Sequence, residues 1–477
     1  MEERYINVDS MIIFCKSLSA LIKFLFIFSF LFILTCNPHP NIKSSGKDMI
    51  RTIKPDGSEK YMILDSDYIF NEDELHTFEL KIPEGSLKKL DTDPSAEEYI
   101  EGMLIFDGDT LSPVGIRYKG NIGAWVGCLS GKNIFKPSGK KICTKLSMKV
   151  KINWNGRNQK FYGLKKLQFH SQNNDPTQLH ERLGYWFYRE MDIPAPRSVH
   201  AQLIINDEYS GLYALTEQID DRFTDYHFSD GSGNLYKEIW PLNHNGNVIK
   251  EKKIRAGLKT NENENTSIEL FKVFGEMMAN ADSISSREII KNYMDINSII
   301  SYVVVDRAIR NDDGVFHWYN FFLDVSFNHN YYWYEHPKEN KLYLIPWDLD
   351  NAFDNITFEN PITFIADDWG EISNDCKPFK YGDWGIKQRS AGCDKIIDAW
   401  ISFRKEYQQL QTKFQDNLIN KSLIMIDTWS DQIKDATINA EELHTDALSY
   451  KKWVRSIELL KAQISLMETR LSYMKDN

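Results

Sequence analysis

The spacing of apolar residues changes once along this chain, from alternation in the first half to helical spacing in the second. Between Tyr61 and about Lys237, short segments such as Lys145–Ile152 alternate polar and apolar residues, the pattern of strands with one buried face. After about residue 265, apolar residues recur every three to four positions. The pattern predicts an α+β chain with a β-rich N-terminal lobe, a helical C-terminal lobe and a cleft between them.

The same pattern divides the chain into five segments. Residues 1–36 read as a leader, and the polar residues 37–60 read as a tether. Residues 61–243 form the β-rich lobe, with one helix that Asp175-Pro176 opens. Residues 244–264, rich in Asn, Lys and Glu, are predicted to be a mobile loop, and residues 265–477 the helical lobe with the metal and catalytic loops.

Composition excludes several classes of protein. Hydrophobic residues make up 42% of the 477 residues and aromatic residues 13%, which is too apolar for a disordered chain. A net charge of -11 argues against a general nucleic-acid binder, which needs a basic face, so no nucleic-acid partner is expected. The chain contains one long apolar run, which excludes a protein with several membrane spans.

That apolar run, Phe24–Thr35, ends at Cys36 and follows Lys16 and Lys23. It is too short for a transmembrane helix, which needs about 20 residues, and it has the length of a signal peptide. An apolar run ending at Cys resembles a bacterial lipoprotein signal, which predicts export to the cell envelope and a lipid anchor on Cys36. The alternative is an uncleaved signal anchor extending back to Leu18, and the true start is Met1 or Met11.

Export predicts an oxidising compartment, where disulfides persist. The four cysteines after the leader form two pairs that are close in sequence, Cys128 with Cys143 and Cys376 with Cys393. Four cysteines allow three connectivities, of which the local one is the simplest. A zinc site is the alternative, but neither pair has CxxC spacing.

Cationic residues alternate along two neighbouring strands. The strand from Val114 ends in Arg117 and Lys119 and runs into a turn at Gly120. On the next strand the alternating cations are Lys145, Lys149 and Lys151. Residues two apart share one face of a strand, and backbone N–H groups at a Gly turn can approach an anion. The pattern indicates a cationic face for phosphate groups or, as the alternative, an ordinary solvated sheet face.

Two acidic motifs lie in the second half. Asp348 and Asp350 follow a buried-type strand that stops at Pro346, and two hard oxygen ligands at a strand end suit Mg²⁺ with substrate phosphates. The alternative is that both Asp residues cap a turn. Asp312 and Asp313 follow a predicted helix at 296–309 and precede Asn320, the order of a catalytic loop. The alternative there is an Asx turn.

Glu217 ends the second strand of a predicted hairpin. Its carboxylate can orient a Lys of the cationic strands or contact the amino group of an adenine. The alternative is an exposed glutamate at a strand end.

Taken in order, these motifs resemble the spore-coat protein H (CotH) kinase-like family. The resemblance covers residues from about 100 to 355 and is carried by the segments VGIRYKGN, TKLSMKVKI, GLYALTEQID, NLYK, NFFLD and IPWDLD. It implies a divergent two-lobed protein-kinase-like fold that binds ATP with Mg²⁺ or Mn²⁺. It further implies phosphate transfer to Ser or Thr of a protein substrate. Other members of the family are surface or coat proteins.

The resemblance assigns roles to individual residues. Lys145 matches the phosphate-contacting Lys, Asp348 the principal metal ligand and Asp350 its support. Asn320 matches the second metal ligand, and the catalytic Asp is Asp312 or Asp313. Arg117, Lys119 and Glu217 complete the predicted cofactor-binding set.

Two other functions stay open on the sequence. One is a surface adhesin or coat scaffold that keeps the kinase-like fold without turnover, and the other is a nucleotidyl or other phosphotransferase. The chain departs from the family pattern after Asn121, where the segment between Cys128 and Cys143 replaces a shorter stretch. The turn at this position would cover the phosphates of a bound nucleotide, so nucleotide affinity is the property that this departure most affects.

Overall fold

The computed structural model describes residues 49–53, 59–63, 65–133, 135–311, 313–320, 325–353, 375–381 and 386–476. The predicted leader, including Cys36, and one of the two candidate catalytic residues, Asp312, lie outside these ranges. Within them, no helix combines the length and the apolar character needed to cross a membrane.

The strands of the described part of the chain are β1 (Met49–Ile53), β2 (Glu59–Ile63), β3 (His76–Lys81), β4 (Ile100–Phe106), β5 (Asp109–Tyr118), β6 (Met148–Lys151), β7 (Lys166–His170), β8 (Ser198–Ile205), β9 (Glu208–Thr216), β10 (Asn234–Lys237), β11 (Trp318–Asn320), β12 (Ser326–Phe327), β13 (Tyr331–His336), β14 (Lys341–Pro346), β15 (Phe379–Tyr381) and β16 (Ile386–Arg389). Its helices are Ser66–Ile69, Glu84–Thr92, Ile122–Trp125, His180–Glu190, Asp221–His227, Glu251–Gly257, Glu269–Asn280, Ser283–Tyr293, Ile296–Ala308, Lys395–Ile401, Arg404–Leu443 and Tyr450–Asp476. This composition confirms the α+β prediction.

The first half forms a closed barrel with the strand order β3-β4-β5-β6-β7-β9-β8. Neighbouring strands are antiparallel except β3 and β8, which are parallel. The alternation of apolar and polar residues along the strands explains the barrel, because the apolar side chains fill its interior while the polar ones face outward. Ile116, Val150 and Leu167 form one such interior row across β5, β6 and β7. The cationic residues between them in sequence therefore lie on the outer face.

The second half is built around a large apolar core of helices. The buried helix Ile296–Ala308 packs against Arg404–Leu443, which also contacts Tyr450–Asp476. Helix His180–Glu190 belongs to this core although it lies in the first half of the sequence, because Leu183 and Phe187 are fully buried there.

Beside this core lies a sheet with the order β10-β13-β14. In it, Tyr331 at the start of β13 pairs with Pro346 at the end of β14. The sheet therefore brings the residues just before β13 next to the acidic motif just after β14. Strand β10 lies here, in the second lobe, although the sequence pattern assigned it to the first.

Several local predictions differ from the structure. The barrel region contains helices Glu84–Thr92 and Asp221–His227 in addition to the one predicted. The predicted tether contains β1, which pairs with β2, and the predicted mobile loop contains helix Glu251–Gly257, with Ile254 fully buried. These elements are five to nine residues long, too short to show a clear period.

Both predicted disulfides are present. Cys128 is bonded to Cys143, and Cys376 is bonded to Cys393. Each closes a loop, as the close sequence spacing predicts. Beside the first loop, Thr144 donates two hydrogen bonds to Asp446 in the turn between the last two helices. This contact joins the barrel to the C-terminal helices.

Candidate active site

The acidic motif after β14 is backed by helix His180–Glu190. The backbone N–H of Asp348 donates to the hydroxyl of Tyr185 (3.0 Å), and His180 Nδ1 donates to the backbone carbonyl of Asp350 (3.2 Å). Between these contacts a Cβ on Gly184 would lie 2.9 Å from Leu349 Cδ1, so any larger residue at this position would force Leu349 to move. The helix therefore fixes the loop at both Asp residues.

The loop that carries Asp348 and Asp350 lies close to several other carboxylates. Burial raises the pKa of Asp348 and of Asp350, and neighbouring carboxylates raise both further. The carboxylates that act on both residues include Glu181 and Asp313. Such a concentration of oxygen ligands, partly open to solvent, fits a hard divalent cation.

These residues supply only part of a metal coordination shell. Across the described ranges, no three His, Cys, Asp or Glu side chains are grouped closely enough to hold a metal ion by themselves. Mg²⁺ in phosphate-transferring sites is commonly held by one or two carboxylates, with water and substrate phosphates completing the shell. The predicted ligands Asp348 and Asp350 fit that arrangement.

Lys119 lies opposite this loop, on the outer face of the barrel. Its Nζ lies 2.6 Å from His170 Nε2 and 5.3 Å from the centroid of the Trp347 ring. His170 Nδ1 in turn lies 2.7 and 2.8 Å from the two carboxylate oxygens of Glu181. Because the carboxylate can only accept and the ammonium can only donate, His170 carries its proton on Nδ1 and accepts from Lys119 at Nε2. The three residues form a Lys–His–Glu chain.

Electrostatics link this chain to the acidic loop. Burial lowers the pKa of Lys119 to about 8, while the charges of Asp348 and Glu181 oppose that change. Sequence reasoning missed His170 and Glu181. Glu181 lies in the first turn of the observed helix His180–Glu190, but the helix predicted from Asp175 places it farther inside, so the sequence gives no specific signal for its role.

Lys145 has different surroundings. Its Nζ donates to the backbone carbonyl of Leu212 (2.7 Å) and lies 5.3 Å from the centroid of the Tyr213 ring. Burial lowers its pKa to about 8, and the opposing charges are Asp446 and Asp175. The structure therefore places Lys119 beside the acidic loop and Lys145 against β9.

Asp313 is held by a network of donors. Its carboxylate accepts from the Tyr319 hydroxyl (2.7 Å) and from Asn330 Nδ2 (3.0 Å) and Asn351 Nδ2 (3.3 Å), and it pairs with His329 Nε2 (3.0 Å). Burial would raise the pKa of Asp313, but the charge and hydrogen bond of His329 outweigh it, so the pKa is lowered. The same pair raises the pKa of His329 to about 9 against the effect of burial. Asp313 is thus ionised and fixed in orientation.

The asparagine beside the acidic loop is Asn330. Its backbone carbonyl accepts from the N–H of Trp347 (3.1 Å), directly before Asp348, while its amide binds Asp313. Asn320, the predicted second metal ligand, is buried on β11 and donates to Ser326 Oγ (3.2 Å). The sequence prediction rested on the residue type at the start of NFFLD, and it did not include Asn330, whose place beside Asp348 follows from the pairing of β13 with β14.

Comparison with protein families decides the affiliation of the chain. A family model described as CotH kinase protein matches residues 116–474, which is most of the chain. The chain belongs to the CotH kinase family. Its resemblance to that family and its kinase-like α+β fold are therefore confirmed. No curated protein shows significant similarity to it.

The CotH match includes the two remaining predicted site residues, Arg117 and Glu217. The guanidinium of Arg117 pairs with Glu97 (2.6 Å) on the outer face of the barrel. The carboxylate of Glu217 is fully buried and pairs with Arg197 (2.5 Å) and His227 (3.0 Å). Burial would raise the pKa of Glu217, but these two partners hold it far below its usual range. Glu217 thus lies in a buried ion-pair network.

Proposed function

We propose that this CotH-family protein is a phosphotransferase that binds ATP with Mg²⁺ or Mn²⁺ and transfers its terminal phosphate to Ser or Thr of a protein. The observation that carries the proposal is the position of Lys119 near Asp348, whose charge acts on the pKa of Lys119. Asp313 is also near enough for its negative charge to raise the pKa of Asp348. Phosphate transfer needs a cation for the phosphates, carboxylates for the metal and an oriented acid near the hydroxyl that attacks. These groups come together here.

Each residue has a distinct role in this proposal. Asp348 and Asp350 hold the cation, with Asn330 as the adjacent amide ligand. The bound metal would neutralise charge on the phosphate oxygens. Lys119 binds a phosphate oxygen, and the His170–Glu181 pair holds its ammonium in place.

Asp313 orients the hydroxyl that attacks the phosphate. With its pKa lowered, it stays ionised at neutral pH and can accept a hydrogen bond from a Ser or Thr hydroxyl. The donors around it fix where that hydroxyl sits. In a loose phosphoryl-transfer transition state, positioning and charge stabilisation provide most of the rate acceleration.

The alternative is a surface adhesin or coat scaffold with this fold and without turnover. The low pKa of Asp313 favours it, because a strongly ionised carboxylate is a weak general base. Intact-mass spectrometry separates the two: the purified protein is incubated with ATP and Mg²⁺ or Mn²⁺, with and without candidate protein acceptors. Metal-dependent addition of phosphate supports the kinase, and its absence with both metals supports the scaffold.

We also propose export and anchoring to the bacterial membrane through a lipid on Cys36. The support is the apolar run Phe24–Thr35, which has signal-peptide length and ends at this cysteine. Cys36→Ser expressed in a bacterial host should move the protein from the membrane fraction to soluble or unprocessed fractions. Unchanged fractionation would favour an uncleaved signal anchor.

A further inference from the structure

The outer face of the barrel carries a row of polar side chains next to Lys119. Arg117 on β5 pairs with Lys149 on β6, which pairs with Gln168 on β7. Directly paired residues of antiparallel strands project from the same face. The row is therefore continuous, and its neighbours along the strands are Lys119 and His170, which approach the ring of Trp347. The end of the face that carries Lys119 and His170 therefore lies next to the acidic loop.

Two members of the row have unused donors. Gln168 is only 2% exposed, and its amide nitrogen has no hydrogen-bond acceptor among the described residues. The half-buried ammonium of Lys149 likewise makes no hydrogen bond or ion pair in that part of the chain, whereas Arg117 is paired with Glu97. Buried donors without acceptors are rare in folded proteins, so the Gln168 amide indicates a missing acceptor, and the half-buried ammonium of Lys149 lies beside it.

The charges around Lys149 indicate an anion as that acceptor. The groups that act on it are Lys119, Lys166 and Arg117, opposed by Asp220, which is itself 3.2 Å from Lys166. Burial first, and then the neighbouring cations, lower the pKa of Lys149 to about 7. A bound anion would favour the charged ammonium and accept the hydrogen bonds of both side chains.

We propose that Lys149 and Gln168 form an anion subsite that binds the inner phosphate of the nucleotide, next to the sugar. This rests on the proposed function, in which the terminal phosphates lie between Lys119 and the metal. Lys119 directly follows β5 and is two residues from Arg117 of the row, a separation of roughly 7 Å along an extended chain. A triphosphate that enters along this face therefore presents its inner phosphate to Lys149 while its outer phosphates reach Lys119.

Calorimetric titration with AMP, ADP and adenosine tests the subsite, because AMP carries only the inner phosphate. Lys149→Met should weaken AMP and ADP binding roughly tenfold or more and leave adenosine binding unchanged. Gln168→Glu, which adds a negative charge beside Lys149, should weaken both nucleotides similarly, and Lys149→Arg should retain most of the affinity. Lys81→Met, an ion-paired lysine on β3, is the matched control and should bind as wild type.

The outcomes separate the subsite from the proposed function. Wild-type AMP affinity in a folded Lys149→Met protein, judged by its melting temperature, overturns the subsite and leaves the kinase proposal intact. If wild type binds no adenine nucleotide, inorganic pyrophosphate is the probe. Binding of pyrophosphate that Lys149→Met abolishes supports the anion subsite while the ATP-dependent function fails, and no binding of either probe overturns both.

Discussion

The hydroxyl of Tyr185 accepts a hydrogen bond of 3.0 Å from the backbone N–H of Asp348. Asp348 has a φ of 57°, in the left-handed region that non-glycine residues rarely adopt. The helix that carries Tyr185 also carries Glu181, which holds Lys119 through His170. One helix therefore positions both Lys119, the proposed phosphate-binding cation, and Asp348, the proposed metal ligand.

Removing the Tyr185 hydroxyl should disturb the acidic loop at Asp348 more than the rest of the fold. In Tyr185→Phe the N–H of Asp348 loses its acceptor, at a cost of about 1–2 kcal/mol. We expect weaker Mg²⁺-dependent nucleotide binding, with a small fall in melting temperature. Tyr68→Phe, which loses a bond to Asp107 on the barrel, is the control and should change stability without changing metal dependence. Equal metal dependence in the two variants would contradict the positioning role.

Substitution of Lys119 should mainly reduce activity, whereas substitution of Lys145 should mainly reduce stability. Lys119→Met removes the cation opposite Asp348, and we expect phosphate transfer to fall at least a hundredfold, equivalent to about 3 kcal/mol or more. Lys145→Met removes the hydrogen bond to the carbonyl of Leu212, so its main effect should be on the free energy of unfolding. Parallel measurement of activity and chemical denaturation checks both. Full activity in Lys119→Met would return the phosphate role to Lys145.

The family, the α+β class and the main helices are predictable from the sequence because they depend on local periodicity. The predicted helices at 268–279 and 296–309 agree with Glu269–Asn280 and Ile296–Ala308 to within one residue at each end. The helix predicted from Asp175 instead begins at His180, because the Asp175 carboxylate binds the N–H groups of Thr177 and His180 in a preceding turn.

The site is less predictable because its members meet only through the fold. Lys119 and Lys145 both lie in cationic stretches, and only their contacts in the folded chain, with Trp347 and with the carbonyl of Leu212 respectively, show which of them lies near Asp348. Asn330 lies beside Asp348 because β13 pairs with β14, a contact that neither segment encodes alone. Residue types and local motifs therefore predict the kind of chemistry at the site better than they predict which individual residues form it.

The His329–Asp313 pair should make stability depend on pH at alkaline values. The pKa of His329 is raised in the folded state to about 9, above its ordinary value. The pair's stabilisation is therefore complete below about pH 6.5 and is lost as pH rises through about 9. Because His329 is partly exposed, the contribution is on the order of 1–2 kcal/mol.

Urea denaturation between pH 6 and 10 measures this contribution. Wild type should lose stability over that interval relative to His329→Gln, whose curve lacks this step. Parallel curves for the two proteins would show that the ion pair does not stabilise the fold.

Glu217 should behave as a structural residue. Its carboxylate is buried with Arg197 and His227, so Glu217→Gln leaves a buried guanidinium without its full partner and should destabilise the protein by about 3–5 kcal/mol. Nucleotide affinity of the folded fraction should be unchanged. A normal melting temperature with weakened ATP binding would instead support the predicted nucleotide contact.

The most direct test of the phosphotransferase proposal is phosphate transfer from labelled ATP by wild type and Asp348→Asn, with Mg²⁺ or Mn²⁺ and a protein acceptor. Asp348→Asn keeps the shape of the loop and removes a carboxylate whose pKa is raised by burial and neighbouring acids, so the metal-free variant should melt at or above the wild-type temperature. We predict metal-dependent transfer by wild type and none by the variant. Equal transfer by the two folded proteins would contradict the assignment of Asp348 to the metal, and no transfer by wild type with either metal would contradict the kinase itself.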